Sequence, residues 1–134
     1  MLAEQILSLN LTTRKICKNC ENGSVISQKM RLLYLLRNEV FSPKDLVGEL
    51  SIAKPNLTIL ARNMVAEGLI EKLRVENDLR AVLYKITEKG KAELNRMIAE
   101  LDKSVAEQLG LNEKEVQKGE KKLETALDFL NGVE

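Results

Sequence analysis

The feature that most constrains the fold is a change of hydrophobic period within residues 41–90. Up to Gly68, apolar positions recur at helical spacing, whereas in residues 70–75 and 82–86 apolar and charged residues alternate. Alternation of this kind predicts a half-buried antiparallel pair of strands, and the intervening residues 76–80 predict a polar tip. The pattern therefore predicts helices that are followed directly by a hairpin.

Two short helices are predicted before the hairpin. Ser42 offers a hydroxyl as N-cap, Pro43 suits the first helical position, and Asp45 places a carboxylate in the first turn. A second helix begins near Lys54 and ends at Gly68, which fits the left-handed position after a helix. The apolar stripe that predicts its buried side consists of Leu57, Leu60, Ala61, Met64 and Val65.

A helix, a tight break, a second helix and a basic hairpin tip together form the plan of a winged helix-turn-helix. The predicted fold class is mainly α with a small β-hairpin wing, flanked by N- and C-terminal dimerisation helices. We expect residues 1–23 to form an N-terminal dimerisation helix, 24–90 the winged helix-turn-helix and 91–134 the C-terminal dimerisation helices, together a single domain. Within the middle region, the recognition helix spans about 54–67 and the wing about 70–86.

Several polar side chains in this region have the length and chemistry to contact base edges or phosphates. The candidate DNA-binding residues are Lys54, Pro55, Asn56, Thr58, Arg62 and Asn63 on the second helix, and Arg74, Asp78 and Arg80 on the wing. We expect Arg80 at the hairpin tip, where a long cation can enter a minor groove and Asp78 can hold its guanidinium. Further candidates, for phosphate contacts, are Ser42, Lys44 and Lys72.

The remaining helices carry apolar stripes that such a small DNA-binding region does not need for its own folding. In the first helix, the stripe recurs at heptad spacing through Leu2, Ile6, Leu9, Thr13, Ile16 and Cys20. After the wing, Thr87 caps a helix whose stripe consists of Leu94, Met97, Ile98, Leu101, Val105 and Leu109. Gly110 ends it, Asn112 caps the last helix, and a two-fold homodimer with paired DNA-binding regions is the expected arrangement.

Composition excludes several classes of protein. The chain has 134 residues, 44% hydrophobic and 31% charged, and no histidine, so no imidazole base or histidine zinc ligand exists. With no phosphate-binding glycine motif either, we expect no enzyme, catalytic residue, cofactor or metal. The longest apolar run, residues 32–36, is far too short for a membrane span, and the N-terminus lacks the pattern of a signal peptide, so we expect a cytoplasmic protein.

Charge is unevenly distributed along the chain, although the net charge is only +1. Residues 43–91 hold nine Lys and Arg against seven Asp and Glu, whereas residues 92–134 hold six against ten. The acidic residues therefore concentrate in the C-terminal helices, away from the proposed DNA-binding face. Attraction to phosphate is expected to be moderate, because each DNA-binding region is only weakly basic.

Cys17 and Cys20 form a C-x-x-C pair on the first helix, and three interpretations remain open. Zinc would require a site shared between two chains, since no other cysteine and no histidine is present. A redox switch would make the protein a cysteine-based redox-sensing regulator. The third interpretation is that one cysteine packs as a small apolar residue and the other has no role.

At these residues the sequence resembles the MarR (multiple antibiotic resistance regulator) family. Residues 54–58 are similar to the start of that family's recognition helix, residues 67–70 to its exit into the wing, and residues 78–90 to its wing and the beginning of its long dimer helix. The resemblance covers essentially the whole chain. It implies a ligand-responsive repressor that binds a pseudo-palindromic double-stranded operator as a homodimer.

The resemblance also implies a small lipophilic or phenolic effector, bound between the dimer helices and the DNA-binding region. Cys17, Leu36 and Met97 lie on faces that can line such a pocket. The alternative class is a winged-helix module that binds protein rather than DNA. The low net charge and the missing hydroxyl cap at Ala53 favour this alternative, whereas Arg62, Arg74 and Arg80 favour DNA.

Overall fold

A computed structural model describes residues 1–18, 26–75 and 78–132. Helices dominate these residues, and the two strands pair with each other as an antiparallel hairpin, so the predicted fold class, mainly α with a small β-hairpin, is confirmed. The elements in chain order are α1 (Leu2–Lys18), α2 (Gln28–Leu36), α3 (Pro43–Leu50), α4 (Lys54–Ala66), β1 (Ile70–Val75), β2 (Asp78–Ile86), α5 (Glu88–Leu109) and α6 (Glu113–Leu130).

The chain forms two compact units. One contains Met1–Val25 together with Glu100–Glu134, and the other contains Ile26–Ala99. The second unit therefore holds α2, α3, α4, both strands and the beginning of α5, which are the elements of a winged helix-turn-helix.

The core of the second unit is aliphatic, as a chain with 3% aromatic residues requires. Its most buried side chains come from all three short helices and from the base of the hairpin, and burial of this apolar area is the main stabilising contribution to such a fold. They include Leu32, Leu33, Leu36, Leu46, Leu57, Met64 and Ile70, each with at most 2% of its surface exposed.

Short-range capping explains where the helices of this unit begin and end. Ser27 and Ser42 accept hydrogen bonds from the backbone N–H of Met30 and Asp45, at 3.1 Å and 3.2 Å, and so cap α2 and α3. Gly68 follows α4 with φ of 76°, which glycine adopts without strain. Its N–H donates to Val65, and the Leu69 N–H donates to Met64, which closes α4 as the sequence predicts.

The hairpin differs from its prediction at the tip. Ile70 pairs with Ile86 at the buried base, and the cross-strand partners Glu71 and Lys85 have opposite charges. β2 begins at Asp78, so the prediction of a tip over residues 76–80 is wrong for residues 78–80. They form strand backbone, and an irregularity of register between Arg74 and Val75 accommodates them.

A single backbone bridge extends the hairpin on its other side. Phe41 and Tyr84 exchange two hydrogen bonds, with N···O distances of 2.8 Å and 3.3 Å. The bridge ties the residue just before the cap of α3 to the middle of β2. It thereby fixes the start of α3 relative to the wing.

The other unit has long helices with little burial. No residue of α1 or α6 is buried within the unit as described, and both helices expose leucines and other large apolar side chains. A cavity of about 400 Å³ runs between them and is lined by Ile6, Leu9, Asn10, Thr13, Leu123, Ala126, Leu127 and Leu130. Gly110 ends α5 with φ of 65°, and a reciprocal capping box between Asn112 and Glu115 begins α6, which agrees with the predicted boundary.

Among the described helices, none is both long enough and apolar enough to cross a membrane.

Candidate nucleic-acid interface

The turn between α3 and α4 is tight and is held by one left-handed residue. The C-cap of α3 is Ser51, which has φ of 52° and ψ of 46°, a conformation that is uncommon for a residue other than glycine. Only Ile52 and Ala53 separate it from α4. The carbonyl of Ala53 accepts hydrogen bonds from the N–H groups of Asn56 and Leu57. The alanine side chain offers no hydrogen-bond acceptor, and α4 begins without a side-chain cap.

α4 has one buried side and one exposed side. Leu57, Ala61 and Met64 are each at most 2% exposed and form the contact with the core. The predicted DNA-binding residues of this helix all lie on its exposed part, namely Lys54, Pro55, Asn56, Thr58, Arg62 and Asn63. Prediction of the buried stripe was wrong at its flanks, because Leu60 is only half-buried and Val65 is 39% exposed.

Thr58 has part of its hydrogen-bonding capacity already in use. Its hydroxyl donates to the carbonyl of Lys54 at 3.0 Å, a bond within the same helix. The hydroxyl oxygen and the methyl group remain for an external partner. Thr58 can therefore contact a DNA base as an acceptor and through its methyl group, but not as a free donor.

A groove brings three of the predicted contact residues together. Ser42 and Lys44 from the beginning of α3 and Lys54 from the beginning of α4 line a cavity of about 590 Å³, opposite residues 81–83 of β2. Val47 adds an apolar wall. The two lysines therefore lie beside the same groove as the wing, although they come from separate helices.

The wing presents exposed cations on β1. Lys72 and Arg74 are both exposed, and Lys72 pairs across the strands with Tyr84. Asp78 and Arg80 belong to β2 by their backbone, while their side chains lie outside the described part of the structure. The expected contact between these two side chains accordingly stays a prediction.

The C-terminal end of α4 is fixed to α2 by an ion pair that the sequence pattern did not reveal. The Lys29 ammonium lies 2.7 Å from a carboxylate oxygen of Glu67, the last residue before Gly68. Lys89 of α5 donates a further hydrogen bond of 2.8 Å to the Glu67 carbonyl oxygen. Cations at this end of a helix are favourable because the last carbonyl groups carry partial negative charge.

Beside this anchor, Arg96 forms hydrogen bonds with Glu93, one of them at 3.1 Å. This hydrogen bonding is the main reason why the pKa of Glu93 lies below its usual value. Burial opposes the shift, and the charges of Arg96, Lys29 and Lys89 add to it. Glu93 therefore stays ionised in a region that is otherwise rich in cations.

Two remaining predictions concern cysteine and metal. Cys17 is half-buried near the C-terminal end of α1, and Cys20 lies outside the described residues. Over residues 1–18, 26–75 and 78–132, no group of three or more acidic or cysteine side chains could hold a metal ion. The three interpretations of the C-x-x-C pair stay open.

One residue at the centre of the exposed side of α4 was not among the predicted contact residues. Ile59 is 54% exposed although it is apolar and β-branched. The signal was present in the sequence, because Ile59 falls outside the apolar stripe at helical spacing.

Comparison with solved structures identifies the fold. The apo form of MarR from E. coli is 24% identical to this chain, with a TM-score of 0.71 and coverage of 95% of this chain and 96% of MarR. BldR, a transcriptional regulator from Sulfolobus solfataricus, is 22% identical, with a TM-score of 0.65 and coverage of 92% and 94%. A mutant of E. coli MarR complexed with operator DNA is 25% identical, with a TM-score of 0.59 and coverage of 94% and 93%.

No protein-family model and no curated protein sequence matches the chain. The structural similarity nevertheless extends over nearly the whole length of both partners. The chain therefore has the winged helix-turn-helix fold of the MarR-family regulators, and the resemblance seen in the sequence is confirmed for the fold.

Proposed function

We propose that this chain is a dimeric, sequence-specific regulator of transcription that binds double-stranded DNA. In this proposal α4 lies in the major groove and the wing enters the adjacent minor groove. The observation that carries it is the division of α4 into a core side and a polar exposed side next to a cationic hairpin. Helix-turn-helix proteins use the first turns of the second helix to contact base edges.

The chemistry of the exposed side fits this role. Asn56 and Asn63 can each pair with adenine through two hydrogen bonds, and Arg62 can bind guanine or a flanking phosphate. Lys44 and Lys54 lie beside one groove next to the wing, where they would meet the DNA backbone. The E. coli MarR structure with operator DNA supports the proposal, since that protein shares the fold.

A homodimer would explain the exposed apolar surface of the helical unit. Leu123, Leu127 and Leu130 are each between 47% and 59% exposed, and they line the cavity that faces α1. Several large apolar side chains exposed on one helix are typical of protein–protein interfaces. Two copies related by a two-fold axis would bury these side chains and pair two DNA-binding regions on one operator.

We further propose that this regulator is a repressor that responds to a small lipophilic or phenolic ligand. One of the solved structures with this fold is the Multiple Antibiotic Resistance Repressor, MarR, which is 24% identical to this chain. In this chain, the cavity of about 590 Å³ beside α3, α4 and β2 has a size that suits a small molecule, although Cys17, Leu36 and Met97, the residues expected from the resemblance, do not line it. A ligand bound there would lie between the recognition helix and the wing, which both have to fit the DNA.

The experiment starts from a random duplex library supplemented with the DNA upstream of the chain's own coding sequence. Duplexes enriched by the full chain are then titrated beside shuffled duplexes of equal composition at one salt concentration. We expect a preference of about a thousandfold for the enriched sequence. The double variant Asn56→Ala and Asn63→Ala should lose most of this preference and keep its thermal stability. Equal affinity for enriched and shuffled DNA would favour the protein-binding alternative.

A further inference from the structure

Ile59 occupies the centre of the exposed side of α4. An α-helix advances by about 100° per residue, so Ile59 lies about 170° around the helix from the middle of the stripe formed by Leu57, Ala61 and Met64. The residues one turn away from it are Pro55, Asn56, Arg62 and Asn63, all of them exposed. An apolar side chain with 54% of its surface exposed thus stands beside Pro55 and among three side chains that form hydrogen bonds.

Exposure of an apolar side chain to water is unfavourable at this position, but the same side chain is well suited to one feature of DNA. In the major groove, the C5-methyl group of thymine is the apolar group that the four standard bases present, while the other base edges present donors and acceptors. The Ile59 side chain has neither donor nor acceptor, so this methyl group is the favourable contact that it can make with a base edge. Its β-branched side chain has one strongly preferred χ1 rotamer in a helix, so little side-chain entropy is lost on contact.

We propose that Ile59 selects thymine in each half-site by packing against the C5-methyl group. The inference rests on the proposed function, because it requires α4 to lie in a major groove. It adds what hydrogen-bonding groups on this helix cannot supply: discrimination between thymine and a base that presents the same hydrogen-bonding edge without a methyl group.

Uracil is such a base, since it differs from thymine only by the missing methyl. The test therefore uses the duplex enriched by the full wild-type chain from a random library. Each thymine is replaced in turn by deoxyuridine, and the dissociation constant is measured at fixed salt. The chains compared are wild type, Ile59→Ala, Ile59→Val and, as a matched control, Val65→Ala, which removes an exposed apolar side chain from the flank of the same helix.

We expect wild type to lose about fourfold in affinity at one thymine of each half-site, the effect of one buried methyl group. Ile59→Ala should bind the thymine duplex more weakly and lose almost nothing further with deoxyuridine. Ile59→Val should retain most of the difference, and Val65→Ala should behave as wild type. Because Ile59 is exposed, its variants should also keep the melting temperature of wild type.

Two results would overturn the inference while leaving the proposed function intact. One is a deoxyuridine penalty in Ile59→Ala that equals that of wild type, and the other is a wild-type chain for which no thymine shows a penalty. Failure of the library to yield any duplex bound more tightly than shuffled DNA would overturn the proposed function itself. The inference about Ile59 would then be wrong with it.

Discussion

The hydroxyl of Thr87 donates a hydrogen bond of 2.6 Å to the carbonyl oxygen of Gly68, which joins the cap of α5 to the residue that ends α4. The N–H of Thr87 donates to Leu69 at 3.1 Å, and the Lys89 ammonium donates to Glu67. Three consecutive carbonyl groups just after α4 are thus bound by the beginning of α5. The orientation of α4 is therefore fixed from its C-terminal end.

Gly90 should be indispensable to this junction. A Cβ atom at Gly90 would lie 2.1 Å from the carbonyl oxygen of Leu69, which is backbone and cannot move aside. We expect Gly90→Ala to lower the free energy of unfolding by about 3 kcal/mol or more, because the first turn of α5 would be pushed off Leu69. Gly48→Ala is the matched control in α3, where a Cβ atom would meet nothing within 4 Å. Gly48→Ala should stabilise the fold by about 0.5–1 kcal/mol. Thermal or urea unfolding measures the free energy of unfolding of both variants. Equal effects of the two substitutions would contradict the proposed close contact between Gly90 and Leu69.

The two sides of α4 should respond differently to truncation. Asn56→Ala or Thr58→Ala should leave unfolding nearly unchanged and lower affinity for the selected duplex by about 1–3 kcal/mol, with far less loss on random DNA. Leu57→Ala should lower stability by about 2–5 kcal/mol, because Leu57 is 2% exposed. Leu60→Ala should lower stability by less than Leu57→Ala but by more than Asn56→Ala or Thr58→Ala, since the Leu60 side chain is half-buried. A stability loss at Asn56 larger than that at Leu57 would show that the sides are assigned wrongly.

Much of the fold could be predicted because its signals are local. The caps at Ser42, Thr87 and Asn112 and the stop at Gly68 are each read from one or two residue types, and the structure has them at the predicted places. The start of β2 could not be placed in this way, since Asn77 and Asp78 are both turn-forming residue types. Pairing with β1 overrides that local preference.

Contacts between distant residues left no pattern in the sequence. The bridge between Phe41 and Tyr84 involves one residue on each side, too few for a period to be visible. The ion pair of Lys29 with Glu67 joins residues that are 38 positions apart. The exposed flank of α4 at Val65 was mispredicted for a related reason, because helical spacing gives the centre of a buried stripe but its width depends on the packing partner.

Charge placed on the apolar surface of α6 should prevent dimerisation. We expect Leu127→Glu to raise the dimer dissociation constant by at least about tenfold, because each copy would have to bury a carboxylate where an apolar side chain packed. Thr125→Glu introduces the same charge on the same helix, outside the cavity that faces α1, and should leave the dimer intact. Sedimentation equilibrium compares the two. An equal effect of both variants would point to general charge repulsion instead.

The ion pair of Glu93 with Arg96 predicts a pH dependence. The pKa of Glu93 is lowered in the folded chain, so the carboxylate stabilises the fold above its unfolded pKa, and this contribution is lost as the pH falls through the folded pKa. Glu93→Gln should therefore cost about 0.5 kcal/mol at neutral pH and progressively less in acid. In an Arg96→Met background the same substitution should have little effect, which urea unfolding across pH can test. If the stability difference between wild type and Glu93→Gln grew as the pH fell, a stabilising ion pair of ionised Glu93 with Arg96 would be contradicted.

The proposed function requires α4 to lie in a major groove with the wing in the minor groove beside it. Dimethyl sulfate methylates guanine N7 in the major groove and adenine N3 in the minor groove, so one reagent probes both. On a duplex enriched and saturated by the full chain, we predict two segments of protected guanine N7 whose centres are about 10 base pairs apart or a whole multiple of that, each beside protected adenine N3. A saturated duplex whose guanine N7 atoms all remain reactive would contradict the account.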